Sequence, residues 1–155
     1  MKKQRRLEGK TDYKARIALL KSGKPRLVAR KTNRYIIAQI VETKAAQDKV
    51  LFSINSKMLL EKGWPRDKEG SLKSLQAAYL TGFMLGRLAQ EKNIKSAIFD
   101  IGINRNVQKS RLFAILKGAL DAGLAIPHNP EALPSLPDLQ KNEKLKNIIE
   151  RMKQK

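Results

Sequence analysis

Apolar and polar residues alternate in three consecutive stretches near the amino-terminal end, which predicts three β-strands. The predicted strands are Arg26–Arg30, Tyr35–Glu42 and Val50–Ser56. Asn33 lies in the polar turn between the first two strands and readily adopts the left-handed geometry of a tight turn. In the third strand, alternation predicts that Val50, Phe52 and Ile54 point to one face. Short polar links between consecutive strands favour an antiparallel meander.

Farther along the chain the apolar spacing becomes helical. We predict helices over residues 13–22, 74–92, 108–122 and 139–155, and a buried strand over residues 97–102. The 74–92 helix has an apolar stripe that includes Leu75, Tyr79 and Phe83. Gly82 and Gly86 lie near the same face, although a glycine inside a helix costs about 1 kcal/mol relative to alanine. We expect this helix to pack closely against the sheet.

The order of the elements, strands followed by helix, strand and helix, predicts an α/β fold in which helices cover the faces of a mixed sheet. A length of 155 residues suits one domain with tails. We divide the chain into a basic amino-terminal extension with a short helix (1–24), an α/β core domain (25–126), and a proline-rich segment followed by a basic helix (127–155).

The net charge of the chain restricts its possible partners more than any short motif does. The chain has 33 Lys and Arg against 14 Asp and Glu, a formal net charge of +19 and a pI near 10.4. Nucleic acid is the strongest candidate partner for such a protein, and an anionic membrane surface is the second. The longest apolar stretch, Ala77–Ala89, is too short to span a bilayer, and no signal peptide is recognisable at the start. We therefore expect a cytoplasmic protein.

The positive charge is concentrated in two regions. Residues 1–34 contain thirteen Lys or Arg and only two acids, and a second group comprises Arg105, Lys109 and Arg111. Tyr13, Thr32 and Asn33 occur among the cations of the first region, and Tyr35 directly follows it. Cations neutralise phosphates, hydroxyls and amides reach sugars and base edges, and tyrosines stack on unpaired bases. This mixture predicts an RNA-binding surface.

A catalytic site is weakly supported. Asp100 ends the predicted buried strand, where catalytic carboxylates often lie, but a metal-dependent nuclease needs further carboxylates beside it. Asp121, Glu61 and Asp48 are available, although no spacing links them to Asp100. We therefore favour a structural role for Asp100 in the following loop. The chain has no Cys, one His and no phosphate-cradling glycine loop, so we expect no cofactor and no metal site.

Five segments occur in this order between about Arg5 and Pro134: EGKTDY, SGKPRLVARKTNRYIIAQIV, AAYLTG, DIGINR and LKGALDAGLAIPH. Together they resemble the archaeal type of ribosomal protein L eighteen, the counterpart of eukaryotic ribosomal protein L five. The resemblance implies a three-layer α/β/α fold of ribonuclease-H-like topology, with a sheet of roughly five strands and no enzymatic activity. It implies binding to 5S ribosomal RNA and to the large ribosomal RNA, among neighbouring proteins of the central protuberance in the large ribosomal subunit.

The resemblance also implies three groups of RNA-binding residues. The first group is Arg5, Arg6, Lys10, Thr11, Asp12, Tyr13 and Arg16. The second is Arg26, Arg30, Lys31, Thr32, Asn33 and Arg34, and the third is Asn104, Arg105, Lys109, Ser110 and Arg111. The loop over residues 64–76 departs from the family pattern, and the last twenty residues do not align with it, so the resemblance assigns contacts to neither. A divalent-metal-dependent nuclease of ribonuclease-H-like fold stays the alternative to an RNA-binding structural protein.

Overall fold

The computed structural model of the protein describes residues 4–45, 47–139, 147–148 and 150–151. Five helices and four strands are named below in chain order. The helices are α1 (Gln4–Leu7), α2 (Tyr13–Leu20), α3 (Leu75–Glu91), α4 (Arg111–Asp121) and α5 (Leu136–Leu139). The strands are β1 (Arg26–Lys31), β2 (Ile36–Lys44), β3 (Gln47–Asn55) and β4 (Ile98–Asp100). Most of the predicted 139–155 helix lies outside the described residues.

The strands form one mixed sheet in the order β3-β2-β1-β4. β1, β2 and β3 form the antiparallel meander expected from their short connections, and β4 joins β1 in parallel. The α/β class and the mixed sheet are thereby confirmed. The described residues form four strands, fewer than the five that the resemblance implies. At the outer edge of β4, Ser96 and Ala125 make a single isolated parallel bridge.

A β-bulge changes the face that the beginning of β3 presents. Ile40 pairs with Phe52 but Val41 pairs with Val50, so Leu51 is the extra residue on β3. Val50 therefore points to the face opposite Phe52 and Ile54, and it is 48% exposed. The prediction that all three share a face was wrong, because one inserted residue reverses the alternation for everything before it.

The core lies between the sheet and the helices α3 and α4. Leu27, Ala29, Ile36, Ala38 and Ile40 of β1 and β2 have no exposed surface and belong to the same cluster as the buried side chains of α3 and α4. The observed α3 matches its predicted span closely, and Ser74 caps it by accepting from the Ala77 N–H at 3.3 Å.

Helix α3 packs on α4 through its glycines. A Cβ placed on Gly82 would lie 2.0 Å from the carbonyl oxygen of Ile115, and one on Gly118 would lie 2.0 Å from that of Tyr79. A Cβ on Gly86 would meet the backbone of Ala119 at 2.9 Å. The expectation of a tight contact was right, but the partner is the neighbouring helix and not the sheet.

Candidate nucleic-acid interface

Most of the predicted RNA-binding residues lie at or beside one end of the sheet. The parallel strands β1 and β4 both finish there, at Lys31 and Asp100, and the β1–β2 turn lies beside them. Helices α3 and α4 both begin there, since Ser74 and Ser110 line the same cavity as Lys31. In open α/β sheets this end, beyond the carboxyl ends of parallel strands, is where ligands usually bind. We call it the basic end.

The β1–β2 turn is held by Thr32. The Tyr35 N–H donates to the Thr32 hydroxyl at 2.9 Å, and the Thr32 N–H donates to the Tyr35 carbonyl at 2.8 Å. Because Thr32 closes the turn, Asn33 and Arg34 project from it and are exposed. They line a surface pocket together with Glu69, Gly70 and Lys73 of the 64–76 loop. The turn is therefore a fixed platform for two side chains.

The first predicted group lies on and before α2. Asp12 caps this helix by accepting from the N–H groups of Lys14 and Ala15, at 3.0 and 3.1 Å. Arg16 pairs with Asp48 of β3 at 2.8 Å, which ties α2 to the face of the sheet opposite α3 and α4. Further predicted members line a cavity between α2 and the end of β4: Arg5, Lys10, Thr11, Asp12, Arg16 and Arg30. Tyr13 is the first residue of α2, and the side chain of Arg6 lies outside the described set.

Arg26 points into the protein and is only 3% exposed. Its guanidinium donates to Asp100 at 2.5 Å and to Asp48 at 2.8 Å, and it also reaches the Thr43 hydroxyl at 3.1 Å. Two carboxylates are needed to offset the cost of burying this charge. Arg26 thus holds β4 and β3 to β1 and does not face the surface that the other predicted residues share.

Asp100 has the structural role that we favoured. Besides Arg26, it binds Arg30, which donates to the Asp100 carbonyl at 3.0 Å. The Gly102 N–H donates to its carboxylate at 2.8 Å, so Asp100 also closes the first turn of the following loop. Within the part of the chain that the structure describes, no three potential metal-ligating side chains lie together.

Asp48 connects the extension to this network electrostatically. Partial burial alone would raise the pKa of Asp48, but hydrogen bonds from Thr43, Arg16 and Arg26 outweigh it and hold the pKa below its ordinary value. The carboxylate therefore stays charged at neutral pH and keeps both arginines in place. This contact explains why α2 is ordered on the sheet although none of its residues is buried.

The third predicted group surrounds a cleft between the beginnings of α3 and α4. Arg105 and Lys109 are exposed, and Arg111 donates to the Lys73 carbonyl at 3.2 Å. Asn104 is used locally, because its side chain donates to the Ile101 carbonyl at 2.8 Å. Lys73 is the residue that the sequence analysis missed. Its position directly before the capping Ser74 of the strongest helix was the signal that could have found it.

The exposed cations of the basic end lack acidic partners. Of the residues that the structure describes, no carboxylate lies within 4.0 Å of the basic groups of Lys31, Arg34, Lys73, Arg105, Lys109 or Arg111. The positive N-terminal ends of α3 and α4 add to this potential. Such an unbalanced field attracts phosphates. No helix in the described ranges has the length and apolar character needed to cross a bilayer.

Comparison with known sequences decides the family. The family described as ribosomal large subunit proteins 60S L5 and 50S L18 matches residues 1–97 and 87–129 of the chain. The chain belongs to this family. As a ribosomal protein of the L5/L18 family it is a structural component and not an enzyme, which agrees with the carboxylate network around Asp100. Membership also confirms the predicted location in the large ribosomal subunit.

Three of the matching relatives are archaeal proteins. The large ribosomal subunit protein uL18 of Korarchaeum cryptofilum is 46% identical over 154 residues, 99% of this chain and 76% of that protein. The protein of the same name from Aeropyrum pernix is 46% identical over 132 residues, 84% of this chain and 60% of the relative. That from Haloarcula marismortui is 48% identical over 130 residues, 84% and 67% respectively. The chain thus spans between 60% and 76% of the length of these relatives.

Proposed function

We propose that this protein binds 5S ribosomal RNA and helps attach it to the large ribosomal RNA in the central protuberance, as a structural constituent of the large subunit. The observation that carries this proposal is that two basic segments distant in sequence, the β1–β2 turn and the loop after β4, meet at one end of the sheet. Cations of the extension line a cavity beside that end. Cations that lack acidic partners gain most from a polyanion, because each phosphate contact releases condensed counterions. Neighbouring large-subunit proteins would contact the remaining surface.

The proposed contacts have two kinds. Side chains on or beside the β1–β2 turn and the loop after β4 are held by the sheet, so they can read RNA shape and unpaired bases. Arg16 of the basic extension pairs with Asp48 of the core, and the cations of the extension contribute charge. We leave Arg26 out of the interface, since it is buried.

The same proposal includes the predicted three-part division of the chain and a complete ribonuclease-H-like α/β/α fold. The Ser96–Ala125 bridge supports a place for a fifth strand at the edge of β4. Helix α2, tied by Arg16 to the sheet face opposite α3 and α4, supports the third layer.

Two double variants test the proposal. Asn33→Ala with Arg34→Ala removes the projecting side chains of the turn, and Arg5→Ala with Arg6→Ala removes two cations of the extension. Filter binding over a salt series would measure affinity for 5S ribosomal RNA and for an unrelated RNA. The turn variant should lose far more affinity for 5S ribosomal RNA than for the unrelated RNA. The extension variant should lose both about equally and reduce the salt slope by about 0.7–0.9 per lost contact.

A matched control removes two cations at the opposite end of the same sheet. Lys44→Ala with Lys49→Ala lies at the β2–β3 turn, where both side chains are exposed. This control should leave 5S affinity nearly unchanged. Equal losses for the turn and the control variants would refute the basic end as the RNA-binding surface.

A further inference from the structure

The cleft between the beginnings of α3 and α4 has the properties of a phosphate site. It has a volume of about 890 Å³, and its basic lining residues come from three separate parts of the chain. They are Lys31, Lys73, Arg105, Lys109 and Arg111. Of the residues that the structure describes, no Asp or Glu lines the cleft. A concave surface lined by one sign of charge focuses the field and raises the local concentration of the opposite ion.

The beginning of α4 leaves backbone donors available inside this cleft. Ser110 is its N-cap, but the hydroxyl makes no capping hydrogen bond, whereas Ser74 caps α3. The Ser110 Oγ atom is buried and has no hydrogen-bond partner among the described residues. The first N–H groups of a helix have no partner within the helix, so an uncapped end needs one from elsewhere. An anion supplies it, with the helix dipole in the favourable direction.

Hydrogen bonds fix the backbone on both sides of the cleft. Arg111 donates to the Lys73 carbonyl at 3.2 Å, and the Lys109 N–H donates to the Ala132 carbonyl at 2.8 Å. These contacts set the backbone positions of both lysines, while their ammonium groups stay exposed. The cleft is therefore preorganised, and an anion entering it meets cations from both sides without rearranging the core.

The apolar residues that line the cleft indicate which kind of molecule the phosphate belongs to. Ile103 and Val107 line the cleft and are 61% and 55% exposed, so apolar surface stands beside the cations. A nucleotide offers both a phosphate for the lysines and a sugar or base face for the apolar residues. The neighbouring pocket at the β1–β2 turn shares Gly70 and Lys73, which makes the surface continuous.

We propose that this cleft binds a backbone phosphate of a ribosomal RNA strand, with Lys73, Lys109 and the uncapped amides of α4 as donors and with the sugar or base against Ile103 and Val107. This inference rests on the proposed RNA-binding function and adds to it a defined phosphate position and the residue Lys73. Either 5S ribosomal RNA or the large ribosomal RNA presents the same phosphate chemistry.

Inorganic phosphate tests the cleft without RNA. The full chain, labelled with ¹⁵N, would be titrated with phosphate at constant ionic strength set by sodium chloride. The amides of Leu112 and Phe113 should shift saturably. Lys73→Gln should weaken this binding about fivefold, while Lys44→Gln at the far end of the sheet should leave it unchanged. Shifts that do not saturate, or that are the same in Lys73→Gln, would overturn the proposal.

RNA binding then identifies the source of the phosphate. The double variant Lys73→Gln with Lys109→Gln, checked for an unchanged melting temperature, would be compared with wild type on 5S ribosomal RNA and on a large-subunit RNA fragment. A loss of about tenfold or more on one RNA supports the site and assigns it to that RNA. No loss on either overturns it. If wild type fails to bind 5S ribosomal RNA at all, the proposed function fails, and the phosphate titration still decides the cleft.

Discussion

The glycine contact between α3 and α4 gives the sharpest test of the fold. In Gly82→Ala, the new Cβ would lie 2.0 Å from the Ile115 carbonyl oxygen, whereas ordinary contacts begin at 3.4 Å. The obstacle is backbone, so it cannot turn aside as a side chain would. To accept one methyl group, α3 and α4 must separate by about 1.4 Å at the point of contact, which is the difference between those distances.

The magnitude follows from two opposing effects. Overpacking a core costs about 1–3 kcal/mol, and a backbone obstacle favours the upper end of that range. Alanine has a better helix propensity than glycine by about 1 kcal/mol, which offsets part of the cost. We expect Gly82→Ala to lower the free energy of unfolding by about 2 kcal/mol. For a chain of this length that lowers Tm by about 4–8 °C.

Urea unfolding and thermal melting of three alanine variants would measure this. At Gly86 the closest approach to the Cβ position is 2.7 Å, from the Ala122 Cβ, against 2.0 Å at Gly82, so the helices need to separate less and Gly86→Ala should cost less. At Gly70 no heavy atom of the described part of the chain lies within 4 Å of the Cβ position, so Gly70→Ala should change stability by no more than about 0.5 kcal/mol. A Gly82→Ala protein as stable as wild type would contradict the helix contact described here.

The buried network and the extension give three further predictions. Asp100→Asn removes one of the two charged partners of Arg26 and leaves Asp48 in place. The free energy of unfolding, measured in urea, should therefore fall by about 2 kcal/mol. Asp67→Asn, at an exposed position, is the control, and an equal effect in both variants would argue against the network. The folded-state pKa of Asp48 is lowered, so its stabilising effect is present above the unfolded pKa of about 3.9 and is lost as pH falls through the folded value. Wild type should therefore lose more stability than Asp48→Asn over that acidic range, and parallel stability profiles would contradict this. Although Arg16 pairs with Asp48, α2 buries none of its residues, so limited trypsin digestion should remove the extension up to about Lys24 from the free protein, and 5S ribosomal RNA should protect it. An extension as resistant as the core without RNA would contradict the division at residue 24.

Local chemistry was enough to predict much of this protein from its sequence. The period of apolar residues located α3 and the three-stranded meander, because helix and strand periodicity depend only on neighbouring residues. The turn residues around Asn33 placed a tight connection between β1 and β2. The excess of Lys and Arg indicated a polyanion as partner, since net charge is independent of how the chain folds. The five family segments supplied the rest of the functional prediction.

Tertiary structure alone decided which side chains meet. Arg26 and Arg30 are similar in sequence context, yet Arg26 is buried against Asp48 and Asp100, 22 and 74 residues away. Gly82 packs on α4 and not on the sheet, and Lys73 reaches a cleft formed with residues more than thirty positions later. These outcomes depend on contacts between distant segments, which no local period encodes. The periodicity that predicted α3 and the meander therefore gave no information on which segments their faces would contact.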